Sequence, residues 1–522
     1  MSAERLDALV VGSGPNGLTA AITMAEQGRS VLVLEGADRP GGAVVTEELT
    51  LPGFRHDTWS SVYPAGAASP AFETMPLERH GLRWVQPPVC MAHVLDGGRA
   101  AALTPDLEET VASLDALHPG DGEGWRELAG PYLANFDGVR RTLLSGFPPV
   151  RGPAALARGL GPRGLLEFAR LVLMPAAGLA HEVFRGPDAR AWLYGSAMHG
   201  DVPPPASGSA IAAVYLNLLG HGVGWPSPEG GAGRLSEALV GYLEELGGRV
   251  RTGAHVRGVD VSGGQARGVV LEGGERVEAD LVLAAVSPRG LLALAEHALP
   301  ASYAGALRRF RYGPGTLKVD WALSGPIPWD APDARRAGTI HVGGSEDDVL
   351  RATSVAGVEL PERPFMLCGQ QSVHDPTRAP TGKHTAWAYA HGPHGVDWEA
   401  EREAVVERME AQVERFAPGF RDLVLARHVQ TPADLERRNP NLVHGDVGGG
   451  SYTLDQVLFR PVASLTPYRT PIRGLYIASA SAFPGGAVHG GPGRGAARMA
   501  LAESRVRGIV GALRRRRGPA RS

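Results

Sequence analysis

Asp7-Ala8-Leu9-Val10-Val11-Gly12-Ser13-Gly14-Pro15-Asn16-Gly17 is the stretch that decides the fold. A short apolar run ending on glycine reads as a parallel strand buried on both faces. A G-x-G-x-x-G follows at once, and Leu18, Ala21, Ile22 and Ala25 then recur at helical spacing as far as Gly28. Ser30-Val31-Leu32-Val33-Leu34 reads as a second buried strand and ends on an acid, Glu35. Strand, glycine turn, helix, strand and acid within about thirty residues is a dinucleotide-binding unit. Gly12 permits the tight turn, Gly14 lets the backbone approach a pyrophosphate, and Gly17 lets the helix pack close to the strand. Pro15 and Asn16 open a helix whose free N–H groups and dipole favour phosphate. Glu35 is placed to accept hydrogen bonds from both ribose hydroxyls, and its charge repels a 2′-phosphate.

Two segments further out favour a flavin over a nicotinamide dinucleotide. Glu35-Gly36-Ala37-Asp38-Arg39-Pro40-Gly41-Gly42-Ala43 sets a glycine doublet just past the ribose acid. Bare glycines there let backbone lie against a pyrophosphate and ribityl chain. The doublet resembles that of FAD proteins of the amine-oxidase and carotenoid-desaturase group. Near the other end, Gly474 to Ala478 reads as a strand, and Ser479-Ala480-Ser481-Ala482-Phe483-Pro484-Gly485-Gly486-Ala487-Val488-His489-Gly490-Gly491 as a glycine-rich loop. A helix follows from about Pro492. A second helix N-terminus is thus aimed from a glycine-rich loop, able to stabilise negative charge on the pyrimidine edge of a reduced flavin. No second strand-linked G-x-G-x-x-G occurs, so a dedicated NAD(P)H domain is not expected.

Together these segments resemble the phytoene-desaturase-like flavoproteins, and among them the subgroup named pyridine nucleotide-disulfide oxidoreductase domain-containing protein 2. The resemblance runs over most of the chain. It rests also on Phe54-Arg55-His56-Asp57-Thr58-Trp59-Ser60-Ser61-Val62, Trp225-Pro226, Gly230 to Leu235, Ala279 to Pro288, Ser372 to Thr377, Asp455-Gln456 and Arg460-Pro461. It implies an α/β protein with a glutathione-reductase-type Rossmann domain that holds FAD non-covalently. It implies, too, a substrate domain of mixed sheet and helix. By the same resemblance the backbone near Val256 meets the adenine. Ala285 lies on the strand returning to the FAD domain, and Ser60 follows the doublet segment. Ser479, Ala480, Gly486, Ala487 and Val488 lie in the flavin loop. One departure stands out: Ala478-Ser479-Ala480 occupies the place where many flavoproteins set an acid for a ribityl hydroxyl. The disulfide chemistry in the subgroup's name is not expected, because Cys90 and Cys368 form no C-x-x-C pair.

The domain expected from these pieces is discontinuous. FAD-binding segments run over 1–75, 225–300 and 440–510. A helical insertion occupies 76–224, and a sheet-plus-helix insertion, with strands at 316–323, 364–370 and 384–390 and a helix at 398–416, occupies 301–439. A basic tail occupies 511–522. The 522 residues suit two or three domains at roughly 100–200 residues each. A net charge of -3 argues against a general affinity for nucleic acid. The N-terminus shows no apolar signal segment, and no run reaches the ~18 apolar residues of a membrane span. The expectation is a cytoplasmic protein. The run Arg514 to Arg517 reads as a solvated end, or as a weak contact with an acidic membrane surface.

Only two of the 52 lysines and arginines are lysines. One of them, Lys318, sits on an apolar strand. Amine-oxidase relatives place a lysine near flavin N5 through a water, so Lys318 is a catalytic candidate, with a snorkelling surface lysine as its alternative. His489 lies in the flavin loop, either facing the isoalloxazine or as an ordinary loop histidine. His56-Asp57 reads as a structural hydrogen-bonding pair or as part of the site. No His, Cys, Asp or Glu cluster has metal spacing, so no metal is expected. The expected reaction is desaturation or oxidation of an apolar small molecule by hydride transfer to flavin N5, with oxygen or a quinone as acceptor. An amine oxidase is the second reading, weakened by the lack of Tyr or Trp in the Pro484–Ala487 loop. A flavin-binding regulatory protein with little turnover is the third. Oligomeric state is not legible in the sequence.

Overall fold

The strand Leu6–Val11 is the centre of the first sheet, and its side chains are almost all buried. A strand sandwiched on both faces needs apolar residues at every position, which is why the run does not alternate. It pairs in parallel with Val31–Leu34 on one side and with the end of Arg276–Ala284 on the other. Arg249–Arg251 continues the parallel layer beyond Val31–Leu34, and Leu475–Ile477 continues it beyond Arg276–Ala284. Five parallel strands from three distant pieces of chain therefore make one layer. The chain reverses its winding direction between Leu6–Val11 and Arg276–Ala284, and such a switch point opens a ligand crevice at the carboxyl ends of the strands. The helices Pro15–Ala25, Gly233–Glu245 and Gly491–Arg516 pack together beside this layer. Strands Val256–Ser262 and Gln265–Leu271 extend the sheet as an antiparallel ribbon joined to Arg276–Ala284. The computed structural model describes residues 5–516.

The second sheet has seven strands, in the order Val424–Gln430, Gly315–Leu323, His384–Gly392, Met366–Gly369, Ala337–Val342, Val89–Leu95 and Arg99–Leu103. Its two faces differ, as the period-two alternation of strands requires. Leu317, Val319, Trp321, Ala386, Ala388, Ile340 and Cys368 fall on one face and form a core with the helix Trp398–Phe416. Lys318 and Asp320 fall on the other. So do Trp387, Tyr389 and His391 on the next strand, and Thr339 and His341 two strands beyond.

Three boundaries differ from the expectation. The 76–224 insertion is mostly helical, but it also gives two strands of the second sheet, Val89–Leu95 and Arg99–Leu103. The core around the parallel layer takes in Leu77 and Leu82 at the first junction and Leu299, Ala304 and Leu307 at the second. The final helix runs through Arg516, so Arg514–Arg516 continue a helix instead of a loose end; Arg517 lies outside the described residues.

Candidate functional site: two glycine turns and an apolar cavity

The first turn is closed by backbone contact. Gly12 has φ +96°, and a Cβ on Gly17 would stand 2.0 Å from the Gly12 carbonyl oxygen and 3.1 Å from Ala285 Cβ. Ala285 is fixed there by its N–H bond to the Val11 carbonyl at 2.9 Å. The glycine doublet folds back on this turn: Gly42 has φ +57°, and a Cβ on it would stand 2.8 Å from Gly14 Cα. Asn16, at the start of the helix, has its Oδ1 buried with no hydrogen-bond partner. An unpaired buried acceptor costs about 1–3 kcal/mol unless something fills the cradle.

Glu35 is held at the other edge of this cradle. Its Oε2 accepts from the Ser13 N–H at 2.8 Å and the Ser13 hydroxyl at 2.6 Å, and its Oε1 accepts from the Ala37 N–H at 2.9 Å. A carboxylate has about four acceptor sites, so capacity for ribose hydroxyls remains. Backbone bonds tie Arg251, Gly253 and Ala254 to Glu35 and Ala37, which brings Val256 to the same end of the sheet. Gly36 faces His255, whose Nδ1 would be 2.8 Å from a Cβ there. Arg39 is turned to Glu47 in an ion pair.

The second turn meets the first. A Cβ on Gly493 would stand 1.8 Å from the Asn16 carbonyl oxygen, and one on Gly490 would stand 2.5 Å from Thr19 Oγ1. Two helix N-termini, 475 positions apart in their numbering at Asn16 and Gly491, thus lie side by side. Between Ser479 and Gly491 the backbone is strained. Ala487 has φ +78° and Val488 φ +49°, a left-handed pair that side chains disfavour by about 1–2 kcal/mol per residue. A branched residue in that region marks a constrained loop. His489 fixes the loop from inside. Its Nδ1 accepts from the Gly491 N–H at 3.1 Å, and its carbonyl accepts from the Ser69 hydroxyl at 2.5 Å. Burial holds its ring pKa down at about 4, so the ring is neutral. Ser479 Oγ accepts from the Ser481 N–H at 3.3 Å, while Ala480 packs on Gly449.

A cavity of about 450 Å³ opens beside this loop. Gly486, Ala487, Val488 and His489 form one wall, with Ala43 and Ser60 from the doublet segment. Leu143, Leu144, Ile211, Leu216 and Leu219 come from the helical insertion, and Leu367, Trp387 and Tyr389 from the second sheet. The Trp387 and Tyr389 rings stack 6° from parallel with centroids 5.8 Å apart, and Tyr452 also reaches the cavity. The aromatic side chains missing from the Pro484–Ala487 loop are therefore supplied by other elements.

Lys318 does not line this cavity. It is 3% exposed, which excludes the snorkelling reading. Its ammonium donates to the Asp57 carbonyl at 3.1 Å and to the Asp320 carboxylate. Burial pushes the Asp320 carboxyl up to about 6 against the pull of Lys318. Asp57 in turn accepts from the Ala232 N–H, the Ser61 hydroxyl and Arg378. His56 bonds to Thr50 at 2.8 Å, and burial beside Lys318 and Arg378 lowers its pKa to about 3. Lys318, His56 and Asp57 thus form a buried network that joins the two domains. No group of three or more His, Cys, Asp or Glu among the described residues could hold a metal. Sequence reasoning missed Trp387, Tyr389 and Tyr452, and also His199 and Asp201, which line the cavity from the turn after helix Pro187–Ala197. The alternation Trp387-x-Tyr389 was the one signal in the sequence that could have put two of these side chains on a common face.

Comparison with known proteins agrees with this geometry. The family model described as flavin containing amine oxidoreductase matches residues 16–496. Pyridine nucleotide-disulfide oxidoreductase domain-containing protein 2 of Rattus norvegicus is 29% identical over 94% of this chain and 93% of its own length. A limonene dehydrogenase polypeptide of Castellaniella defragrans is 25% identical over 95% of this chain and 94% of its own. Among solved structures, an oxidoreductase from Methanosarcina mazei superposes with a TM-score of 0.63 at 17% identity, over 96% of this chain and all of that one. The bare cradle, the orphaned Asn16 acceptor and the strained second loop fit a flavin dinucleotide, and this chain belongs to the flavin containing amine oxidoreductase family as an FAD-dependent oxidoreductase.

Proposed function

We propose that the protein dehydrogenates an apolar small molecule, such as a terpene-like, polyene-like or lipid compound. The carrying observation is the cavity: most of its lining side chains are aliphatic or aromatic, and it is bounded directly by the Gly486–His489 loop. Bound FAD supplies a hydride acceptor at N5, and oxygen or a quinone is the proposed final acceptor. The residues of the chain position the reactants. Gly14, Asn16, Gly42 and the two helix N-termini would hold the pyrophosphate of FAD, and Glu35 its adenosine ribose. The backbone N–H groups of the Ala487–Val488 turn would stabilise negative charge on the reduced flavin. Leu143, Leu144, Leu216 and Leu219 exclude water and orient the substrate by shape, since hydride transfer depends on alignment more than on acid–base groups. The similarity to a limonene dehydrogenase polypeptide supports an apolar substrate.

Access for such a substrate is consistent with a peripheral membrane contact. Among the described residues no helix is long and apolar enough to cross a membrane. However, Val150, Leu165, Leu166 and Leu173 are exposed on and beside the helix Arg151–Leu173, which also carries Arg158 and Arg163. An amine substrate is the second reading, favoured by the stacked Trp387–Tyr389 pair in the cavity wall.

Anaerobic titration of the yellow holoprotein decides between them. Bleaching of the flavin band by limonene or by a carotene supports the first reading. Bleaching by cyclohexylamine alone supports the second. A flavin that none of these reduces contradicts the proposal.

A further inference from the structure

The cavity is not uniformly apolar. Four polar side chains meet at one corner, around Leu367. Thr339 and His341 lie on one face of the strand Ala337–Val342, and His341 is paired across the sheet with Leu367, which is paired with Tyr389. His199 and Asp201 approach from the helical insertion: His199 Nε2 is 2.8 Å from His341 Nε2, and Asp201 Oδ1 is 2.7 Å from His391 Nε2. Thr339, His199, Asp201 and Tyr389 all line the cavity.

Three features of this corner call for a ligand. Thr339 is 2% exposed, and its hydroxyl has no hydrogen-bond partner. A buried hydroxyl left unpaired is costly, and such groups are usually completed by a ligand or a water. His199 spends one ring nitrogen on His341, so its Nδ1 is left for the cavity. Asp201 is held at φ +54°, a left-handed conformation that turns the chain into the wall directly after the turn Met198–Gly200.

The charge at the corner tells what kind of ligand fits. Burial alone would lower the His391 pKa, but the Asp201 carboxylate raises it, with help from Asp446. Asp201 and His391 therefore engage each other, with Oδ1 2.7 Å from Nε2. Burial keeps the His199 pKa down at about 3, so that ring is neutral. With Asp201 engaged by His391 and one His199 nitrogen by His341, the corner leaves the Thr339 hydroxyl and the other His199 nitrogen to meet a ligand. It suits a neutral oxygen function better than an ammonium or a carboxylate.

We propose that this corner binds a hydroxyl or carbonyl oxygen of the substrate, so that the natural substrate is an apolar molecule carrying one oxygen function and not a pure hydrocarbon. The proposal rests on the apolar-substrate reading above. Thr339 and His199 hydrogen-bond the oxygen, while Asp201, engaged with His391, adds an acceptor at the edge of the corner.

The test uses FAD-loaded full-length protein and a pair of monoterpenes with one carbon skeleton, limonene and its hydroxylated counterpart perillyl alcohol. Dissociation constants are read from the perturbation of the flavin spectrum under anaerobic conditions, with no turnover required. The expected result is that the alcohol binds about tenfold more tightly than the hydrocarbon. Thr339→Val, which keeps the side-chain shape, removes most of this preference while leaving limonene affinity unchanged. Asp201→Asn reduces it as well. Equal affinity for the two ligands in the parent protein, or a preference that survives Thr339→Val, overturns the proposal. Failure of both ligands to bind to a yellow protein overturns the apolar-substrate reading itself, and this inference with it.

Discussion

Gly493→Ala offers a strong test of how the two turns are joined. Gly493 is the third residue of the helix Gly491–Arg516. By helix propensity alone, alanine there should stabilise by about 1 kcal/mol. The surroundings oppose it: the new Cβ would stand 1.8 Å from the Asn16 carbonyl oxygen, 2.7 Å from its carbon and 3.1 Å from its Cα. All three atoms are backbone, so no flexible side chain can yield. Restoring an ordinary contact of 3.4 Å would part the two helix ends by about 1.6 Å along that line, in an interior that resists such shifts. Overpacking costs roughly 1–3 kcal/mol, which outweighs the propensity gain. The larger effect falls on the cofactor. Parting the helix N-termini lengthens the N–H bonds to the pyrophosphate, and losing one bond to a charged group costs about 1.5–3 kcal/mol. The expected weakening of FAD binding is about tenfold to hundredfold. The assay is equilibrium titration of apoprotein with FAD, followed by fluorescence quenching. Gly357→Ala, where a Cβ would meet nothing within 4 Å, is the control. FAD affinity unchanged in Gly493→Ala would refute the convergence of the two turns.

Three further outcomes follow from the packing. Lys318→Met leaves Asp320 buried without its cation and should cost about 3–5 kcal/mol in urea unfolding, whereas Lys318→Met with Asp320→Leu should recover most of it; a single variant as stable as the parent would contradict the buried pair. Ala487→Gly relieves a left-handed alanine at φ +78° and should raise stability by about 1 kcal/mol, seen as a higher melting temperature, and a fall would contradict the strain. His56, His93, His341 and His489 are fully buried, and burial lowers the pKa of each, to about 3 for His56 and about 4 for His93 and His489. Their folded pKa values lie below the unfolded value of about 6.5, so the unfolded chain binds more protons in that window. Stability is present above pH 6.5 and falls as the pH drops towards 4, by up to about 1.4 kcal/mol per histidine per pH unit. His391, whose pKa is raised, works weakly in the opposite direction. Urea midpoints at pH 7.5, 6 and 5 check this, and a flat profile would contradict it.

The cofactor cradle was legible because its information is local. Gly12, Gly14, Gly17 and Glu35 fall within 24 positions; Gly12 takes a left-handed φ, and Gly17 makes a backbone contact that a Cβ would block. The glycine doublet and the Pro484–Gly491 loop were legible for the same reason, and the resemblance joined them across the chain. The strands Val89–Leu95 and Arg99–Leu103 were lost inside a helical insertion. Val89–Leu95 is buried at every position, so it lacks the alternation that separates a strand from a helix segment. The cavity was less legible still. His199, Asp201, Thr339, Tyr389 and Tyr452 are scattered along the chain, and only the register of the second sheet and the packing against it bring them together. Lys318 was singled out by its apolar strand and by the lysine that amine-oxidase relatives set near the flavin, yet the i, i+2 spacing to Asp320 was the more informative signal. Two opposite charges on one face of an apolar strand announce a buried pair.

The most direct measurement is the flavin content of the purified folded chain, read from its visible absorption and from the dinucleotide released on denaturation. One FAD per chain, retained through gel filtration and regained by apoprotein on adding FAD but not NAD, is the result this account predicts. A folded protein that is colourless and takes up no FAD would contradict it.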